Sequence, residues 1–252
     1  MRIAVLASLL VAACVATPTP PTTLEAVGRV RPDVPMPKGY LEPRSLPDSL
    51  ALLPPPPEPG SPAQAADLAA FQAALGASSE RFARAAQDAD LRWPAMAQSF
   101  AELLGVSFAG GALPHTAMLL QRSAMDAGLS TYAAKEHYRR TRPFVAQRVN
   151  SCTPAEEAAL AQDGSYPSGH SAVGWMLALV LTDLAPDRAD ALLRRGLDFG
   201  ESRIVCRVHW RSDVEAGRLM AAATFARLQS DPVFQAQRER ARRELANARG
   251  RS

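Results

Sequence analysis

The segment Glu201-Ser-Arg-Ile-Val-Cys-Arg-Val-His-Trp-Arg-Ser-Asp213 carries an arginine, a histidine and an aspartate at fixed offsets. The guanidinium of Arg203 offers a planar set of donors to an oxyanion, and the imidazole of His209 can act as nucleophile or proton carrier near neutral pH. Asp213 follows His209 by four residues, and positions four apart meet on one helix face. The spacing predicts that Asp213 orients the ring of His209.

A second segment, Ser165-Tyr-Pro-Ser-Gly-His-Ser171, precedes the apolar run from residue 172 to residue 184. Its proline suits the first turn of a helix, so Ser168 and Gly169 are predicted to leave free backbone N–H groups at the helix start. These donors and the positive end of the helix dipole favour an anion such as phosphate. The segment predicts a phosphate site beside His170. The alternative is a capped buried helix whose histidine only fills a hydrogen bond.

A third segment, Lys135-Glu-His-Tyr-Arg-Arg-Thr-Arg-Pro143, is rich in basic residues. Seven residues separate Lys135 from Arg142, close to two helical turns, so both cations are predicted on nearly one face before the proline ends the helix. They would form a two-point positive clamp. Arg139 and Arg140 are predicted to lie on a solvated helix face.

Apolar residues recur at three- and four-residue steps along most of the chain after residue 63, with alanine common. The predicted helices are Ala65 to Leu75, Ser79 to Ala89, Pro94 to Leu104, Leu113 to Ala127, Thr131 to Thr141, Pro154 to Gln162, Ser168 to Leu184, Asp187 to Ile204 and Ser212 to Leu228. The pattern predicts an all-α fold, a single-domain bundle in which short connections join antiparallel neighbours. Residues 231–252 are predicted to be a solvated helix or a frayed end.

Composition limits the class of protein further. The chain has 252 residues with 47% apolar content, enough for one sizeable core. The 28 basic and 25 acidic residues give a formal charge of +3, too slight to indicate a nucleic acid partner when no stripe of basic and aromatic residues accompanies it.

The N-terminal residues have the pattern of an export signal. A short basic start and an apolar run predict a signal peptide at residues 1–13. The sequence Val11-Ala-Ala-Cys14 is similar to a lipobox, which predicts lipidation of Cys14, a periplasmic location and membrane contact only through that anchor. Ordinary signal cleavage nearby is the alternative. The proline-rich residues 14–44 are predicted to be an extended tether.

Two further cysteines, Cys152 and Cys206, lie in the exported part of the chain. In an oxidising compartment they are predicted to form one disulfide, which would close a loop of more than fifty residues around the candidate site. The alternative is two separate buried thiols.

In this order, the motifs Lys-x6-Arg-Pro, Pro-Ser-Gly-His and Ser-Arg-x5-His-x3-Asp resemble the signature of the type 2 phosphatidic acid phosphatase superfamily, which includes vanadium haloperoxidases. Further segments are similar to bacterial class A non-specific acid phosphatases: residues 46–57, 85–90, 164–170 and 209–214. The resemblance covers roughly residues 45 to 228 and implies an acid phosphatase domain at 45–230 followed by a basic tail. One departure is Arg207, where the resemblance implies a small residue.

The resemblance implies a role for each motif residue. His209 would form a phosphohistidine while Asp213 fixes its tautomer, and His170 would act as general acid and then general base. The phosphate-binding residues implied in the same way are Lys135, Arg142, Ser168, Gly169 and Arg203. No cofactor and no metal are implied, because fixed cations take the place of a divalent ion. The implied substrates are small phosphomonoesters, with phosphate transfer to alcohols as a further activity.

Other functions stay open at this point. A vanadate-dependent haloperoxidase would use the same cations to hold vanadate, and a non-catalytic phosphate-binding lipoprotein would bind phosphate without turnover. A membrane lipid phosphatase would share the chemistry but usually needs several spanning helices. The sequence does not specify the natural substrate, and a homo-oligomer remains an alternative to a monomer.

Overall fold

The structure is a computed structural model that describes residues 19–250. The predicted signal peptide and Cys14 lie outside the described residues. Within this range the secondary structure is helical, and the β pairing is limited to one isolated bridge between Arg29 and Pro37. The predicted all-α fold is confirmed.

The α-helices vary from single turns to rods of eighteen residues. Their bounds are α1 Leu24–Val27, α2 Ser49–Leu52, α3 Pro62–Leu75, α4 Ser79–Gln87, α5 Gln98–Leu104, α6 Pro114–Leu129, α7 Tyr132–Tyr138, α8 Pro143–Ala146, α9 Glu157–Leu160, α10 Gly169–Leu184, α11 Ala189–Val205, α12 Arg211–Leu228 and α13 Pro232–Arg249. Short 3-10 turns precede α5, α9 and α11, which accounts for the later starts of these helices than the apolar pattern predicted.

Helix α10 lies at the centre of the bundle and packs against α6, α11 and α12. Its buried residues include Ala172, Met176, Leu177 and Leu181, so apolar side chains face neighbours on more than one side. Burial of a large aliphatic side chain contributes roughly 1.5 to 3 kcal/mol relative to exposure, so this helix is a main source of stability. None of the helices in the described part of the chain has the length and hydropathy that crossing a membrane requires.

The N-terminal segment is bound to the bundle at residues 38–41, so the extended tether predicted for residues 14–44 does not continue to residue 44. The guanidinium of Arg122 on α6 donates to the carbonyls of Lys38 and Gly39, at 3.1 and 2.8 Å. The carboxylate of Asp126, one turn later, accepts the backbone N–H of Tyr40 at 2.8 Å. Two buried polar side chains therefore supply hydrogen-bond partners to the backbone of residues 38–40.

The C-terminal residues also belong to the bundle, which corrects the prediction of a solvated or frayed tail. Helix α13 buries Phe234, Gln237, Ala241 and Leu245 against the core, at helical spacing. The carboxylate of Glu244 accepts backbone N–H groups in the first turn of α6. The buried residues form a narrow stripe among many Arg and Glu residues, so the composition of this segment did not indicate that it packs against the core.

The structure joins Cys152 and Cys206 by a disulfide, as the sequence predicted. The two residues are 54 positions apart, and the backbone N–H of Cys152 also donates to the carbonyl of Cys206 at 3.2 Å. The bond ties the chain after α8 to the end of α11.

Replacing Gly39 with alanine should destabilise the protein, because the new Cβ would lie 1.8 Å from a carboxylate oxygen of Asp126. Overpacking of this kind costs about 1 to 3 kcal/mol, measurable by urea unfolding. Gly76→Ala is the matched control, since its nearest neighbour would be the Ala73 carbonyl at 3.5 Å, an ordinary contact. Equal stability of the two variants would contradict close docking of the N-terminal segment.

Removing the disulfide with Cys152→Ala and Cys206→Ala together should lower the free energy of unfolding by about 3 to 4 kcal/mol, because a long loop is released in the unfolded chain. Denaturant unfolding of the variant and of the wild type, each with and without a reducing agent, measures the change. Reduction should weaken only the wild type. A double variant as stable as the oxidised wild type would rule out the bond as a stabilising cross-link.

Candidate active site

His209 lies in the short turn between α11 and α12, where its two ring nitrogens face opposite partners. Its Nδ1 lies 3.4 Å from a carboxylate oxygen of Asp213, and its Nε2 lies 3.1 Å from Nη1 of Arg142. A carboxylate only accepts and a guanidinium only donates, so these neighbours assign the proton to Nδ1 and the lone pair to Nε2. The ring is therefore held with a nucleophilic nitrogen beside a cation.

The contact between His209 and Asp213 forms at the start of a helix and not along a helix face as the spacing suggested. Helix α12 begins at Arg211, with Trp210 as its N-cap residue. The carboxylate of Asp213 accepts the backbone N–H of Trp210 at 2.8 Å and turns toward the histidine before the helix. Helix capping therefore places this carboxylate.

Lys135 and Arg142 come together by a different route from the one predicted. Helix α7 ends at Tyr138, and Arg139 adopts a left-handed conformation with φ of 44°, so the two cations do not share a helix face. Lys135 Nζ donates to the Gly164 carbonyl at 2.7 Å, and the Arg142 guanidinium lies 3.4 Å from the same oxygen. The two-turn geometry was wrong, yet the charges converge.

Asp163, which the sequence analysis missed, pairs with both of these cations. Its carboxylate lies 3.0 Å from Arg142 and 3.6 Å from Lys135, and about half of its side chain is exposed. Burial and the charge of Arg142 lower the pKa of Lys135 to about 8, while Asp163 opposes the shift. Its position before Gly164 and Ser165 gave no distinctive signal.

Arg203 lies on the last turn of α11 and is almost completely buried. Its Nε and Nη1 have no hydrogen-bond partner within the described part of the chain. Burial, and then repulsion from Arg142, lower its pKa to about 10. A buried guanidinium with unpaired donors is costly unless a ligand satisfies it, which indicates an oxyanion site here.

The backbone around Ser168 and Gly169 forms the first turn of α10. The Ser168 hydroxyl accepts the Ser171 N–H at 3.2 Å and lies 2.9 Å from the Ser171 hydroxyl, and its own N–H donates to the Asp213 carbonyl at 2.9 Å. Helix α12 approaches closely because it has Gly217, where a Cβ would lie 2.3 Å from the Ser168 carbonyl. This contact joins the helix start to the segment that carries His209.

His170 borders a cavity of about 790 Å³. Its Nε2 lies 3.1 Å from the Ala89 carbonyl, which only accepts, so Nε2 carries a proton. In the neutral ring Nδ1 then has the free lone pair. The cavity is also lined by Met36, Leu91, Arg92, Trp93 and Glu156. Part of its wall thus comes from the bound N-terminal segment.

Electrostatics favour the neutral form of both imidazoles. Burial lowers the pKa of His170 well below its usual value, with Arg203 adding to the effect. Burial also lowers the pKa of His209, followed by repulsion from Arg142 and Lys135. Burial raises the pKa of Asp213, and the nearby Arg140 opposes that rise. The cations around both rings favour binding of an anion.

Two residues that the sequence did not assign to the site, Arg140 and Asp67, lie beside it. Arg140 was predicted to be solvated, but its guanidinium is largely buried and pairs with Asp213 at 2.6 Å. It also pairs with Asp67 of α3 at 2.7 Å. The local sequence around Asp67 does not indicate this role, because its partners Arg140 and Ser212 lie far along the chain.

Arg207 has a φ of 68°, a conformation that favours glycine, and its guanidinium donates to the Asn150 carbonyl and lies over the Phe82 ring. Between residues 19 and 250, no three His, Cys, Asp or Glu side chains are grouped to hold a metal ion.

Comparison with known proteins identifies the family and confirms the resemblance. Residues 116–233, which include the three motifs, match the PAP2 superfamily. The chain is 43% identical over 209 residues to the non-specific acid phosphatase of Providencia stuartii, covering 82% of this chain and 84% of that one. It is 42% identical over 208 residues to the non-specific acid phosphatase of Salmonella typhimurium, covering 82% and 83%. With the acid phosphatase of Zymomonas mobilis it shares 42% identity over 203 residues, covering 80% and 77%. The chain therefore belongs to the PAP2 superfamily and, within it, to the non-specific acid phosphatases.

Proposed function

We propose that this protein is a metal-independent acid phosphatase that hydrolyses phosphate monoesters through a phosphohistidine at His209. The observation that carries the proposal is the orientation of His209, whose Nδ1 faces Asp213 while Nε2 faces the cation of Arg142. Two buried cations, Lys135 and Arg203, accompany Arg142. The family and its acid phosphatase members support the reaction class.

Substrate binding would use the unpaired charge of the site. The free N–H groups of Arg203 would donate to non-bridging phosphate oxygens, and Arg142 and Lys135 would turn part of their donors from Asp163 to the substrate. The Ser168 hydroxyl accepts its present bonds from Ser171, so its own proton is available to the phosphate. The charge that develops on the phosphoryl oxygens is stabilised in place.

The first chemical step forms the Nε2–P bond at His209 as the ester P–O bond breaks in line. The alkoxide that leaves takes a proton from Nδ1 of protonated His170, whose Nε2 stays bonded to Ala89. The Nδ1 proton of His209 stays on its ring and bonds to Asp213, which stabilises the positive charge of the phosphohistidine.

The second step hydrolyses this intermediate. Nδ1 of His170, now neutral, removes a proton from water as the water oxygen bonds to phosphorus and the P–N bond breaks. Inorganic phosphate leaves, and His209 is neutral again. An alcohol bound in the cavity of about 790 Å³ beside His170 would replace water in the same step, which gives phosphotransfer.

His209→Ala should reduce kcat for p-nitrophenyl phosphate by at least about 10³-fold without unfolding the protein, because the variant lacks the proposed phosphoryl acceptor. His137→Ala is the matched control, since this histidine is exposed on α7 and should leave kcat unchanged. Alkaline quenching of a turnover with ³²P-labelled substrate should trap labelled protein in the wild type and none in His209→Ala. Turnover by the His209 variant at the wild-type rate would exclude the mechanism.

The dependence of kcat/KM on pH should be bell-shaped with its maximum on the acidic side. His209 must be neutral to attack and His170 must be protonated to donate, so activity falls in both directions. Burial and nearby cations lower the pKa of both imidazoles, which moves both limbs toward acid. Steady-state rates from about pH 4 to about pH 8 measure the profile, and a flat profile would argue against this pair. His170→Gln should lose less activity on 2,4-dinitrophenyl phosphate, whose leaving group needs no proton, than on p-nitrophenyl phosphate.

A further inference from the structure

A buried chain of charged groups extends from the catalytic carboxylate to helix α3. The Arg140 guanidinium donates through Nη1 to Asp213 Oδ1 at 2.6 Å and through Nη2 to Asp67 Oδ2 at 2.7 Å. Asp67 in turn accepts the backbone N–H and the hydroxyl of Ser212, at 2.8 and 2.6 Å. Asp67 and Asp213 are 2% and 0% exposed, and only 12% of the Arg140 side chain is accessible.

We infer that Arg140, held in place by Asp67, is a positioning residue for phosphoryl transfer, which keeps Asp213 ionised and turned toward Nδ1 of His209. The inference rests on the proposed function, because it assigns Arg140 and Asp67 to the support of the same nucleophile. It also replaces the sequence-based view of Arg140 as part of a solvated face.

The hydrogen bonds of Asp213 show why this carboxylate depends on Arg140. Its Oδ1 accepts from Arg140, and its Oδ2 accepts the Trp210 N–H at 2.8 Å and faces His209 at 3.4 Å. A buried carboxylate is stable in its charged form only with a cation or several donors. Without Arg140, protonation of the Asp213 carboxylate would weaken its contact with the imidazole, and rotation would move Oδ2 away from the ring. The contact is already long, at 3.4 Å.

Asp67 gives Arg140 the second anion that a buried guanidinium needs. One terminal nitrogen of the guanidinium contacts each carboxylate, so residues of two helices, α3 and α12, fix the plane of the Arg140 guanidinium. Asp67 also bonds Ser212, the residue next to Asp213, so it acts on the start of α12 as well. This pattern resembles the outer partners that orient catalytic or metal-bound imidazoles in other proteins.

Several titratable or charged groups face Asp213 and affect how its protonation depends on pH. They are Arg140, His209, Lys135, Arg142, Tyr166 and, through Arg140, Asp67. Loss of the Arg140 charge favours proton uptake by both Asp213 and His209. Loss of the Asp67 charge favours proton release from both. The two substitutions therefore have opposite electrostatic signs, whereas a bridge with a purely structural role predicts no difference in sign.

The test compares Arg140→Met, Arg140→Lys and Asp67→Asn with Arg139→Met, the exposed neighbour as matched control. Arg140→Met should lower kcat by about 10- to 100-fold with little change in inhibition by inorganic phosphate, and should shift the acidic limb of the profile toward neutral pH. Arg140→Lys keeps a charge but loses the fork, so the limb should stay in place while kcat recovers in part. Asp67→Asn should lower kcat without shifting the limb toward neutral pH.

A second readout does not depend on turnover. In ¹H NMR spectra, the Nδ1 proton of His209 should give a downfield resonance in the wild type and in Arg140→Lys, and should be lost or exchange-broadened in Arg140→Met. If Arg140→Met does not fold, Arg140→Lys and Asp67→Asn still decide between the two roles through their limbs and this resonance.

The inference is overturned if Arg140→Met has the wild-type kcat and limb. It is also overturned if the three variants lose activity only in proportion to their thermal stability, with unchanged limbs and an intact Nδ1 resonance. Failure of the proposed function would look different, because His209→Ala would then retain turnover. An inactive His209 variant beside a normal Arg140→Met overturns the positioning role alone.

Discussion

The structure depends on holding three buried cations close together, one of which, Arg203, has donors without a hydrogen-bond partner among the described residues. Burial lowers the pKa values of Lys135, Arg142 and Arg203, and the charge of Arg142 lowers those of Lys135 and Arg203 further. Carbonyl groups of Leu160, Gly164 and Val208 and the half-exposed carboxylate of Asp163 offset part of the cost. Packing of the bundle must offset the remaining free-energy cost. The large core around α10 therefore also keeps these charges in position for an anion.

The helices contribute to the site mainly through their ends. His209 and Asp213 come from the turn before α12 and its first turn, Ser168 and Gly169 from the start of α10, and Arg203 from the end of α11. Helix ends have free backbone groups and capping side chains, which give polar contacts that a helix interior has already used. Close contact of α10 and α12 at Gly217 and the disulfide at Cys206 hold these ends in register.

The sequence predicted what depends on local chemistry and missed what depends on distant contacts. The all-α fold and the pairing of Cys152 with Cys206 followed from apolar periodicity and from cysteine number. The helix through Lys135 and Arg142 was wrong because the left-handed Arg139 ends α7 early, and no glycine marks that position. Arg140 looked solvated because its partner Asp67 lies 73 residues away. Periodicity along one helix carries no information about such a partner.

The lowered pKa of His170 opposes the proposed role as proton donor, but the negative charge of a bound phosphate ester would counteract this effect. Burial and the charges of Arg203 and Arg142 oppose a proton on this ring. A phosphate dianion bound to those cations offsets most of their charge, so the pKa of His170 rises on binding. In the proposed mechanism the same argument applies less strongly to His209, because bond formation to phosphorus would use its lone pair. In the proposed mechanism, binding and acid catalysis would thus be coupled: His170 would gain its proton when an ester is bound and would release it when phosphate leaves the site.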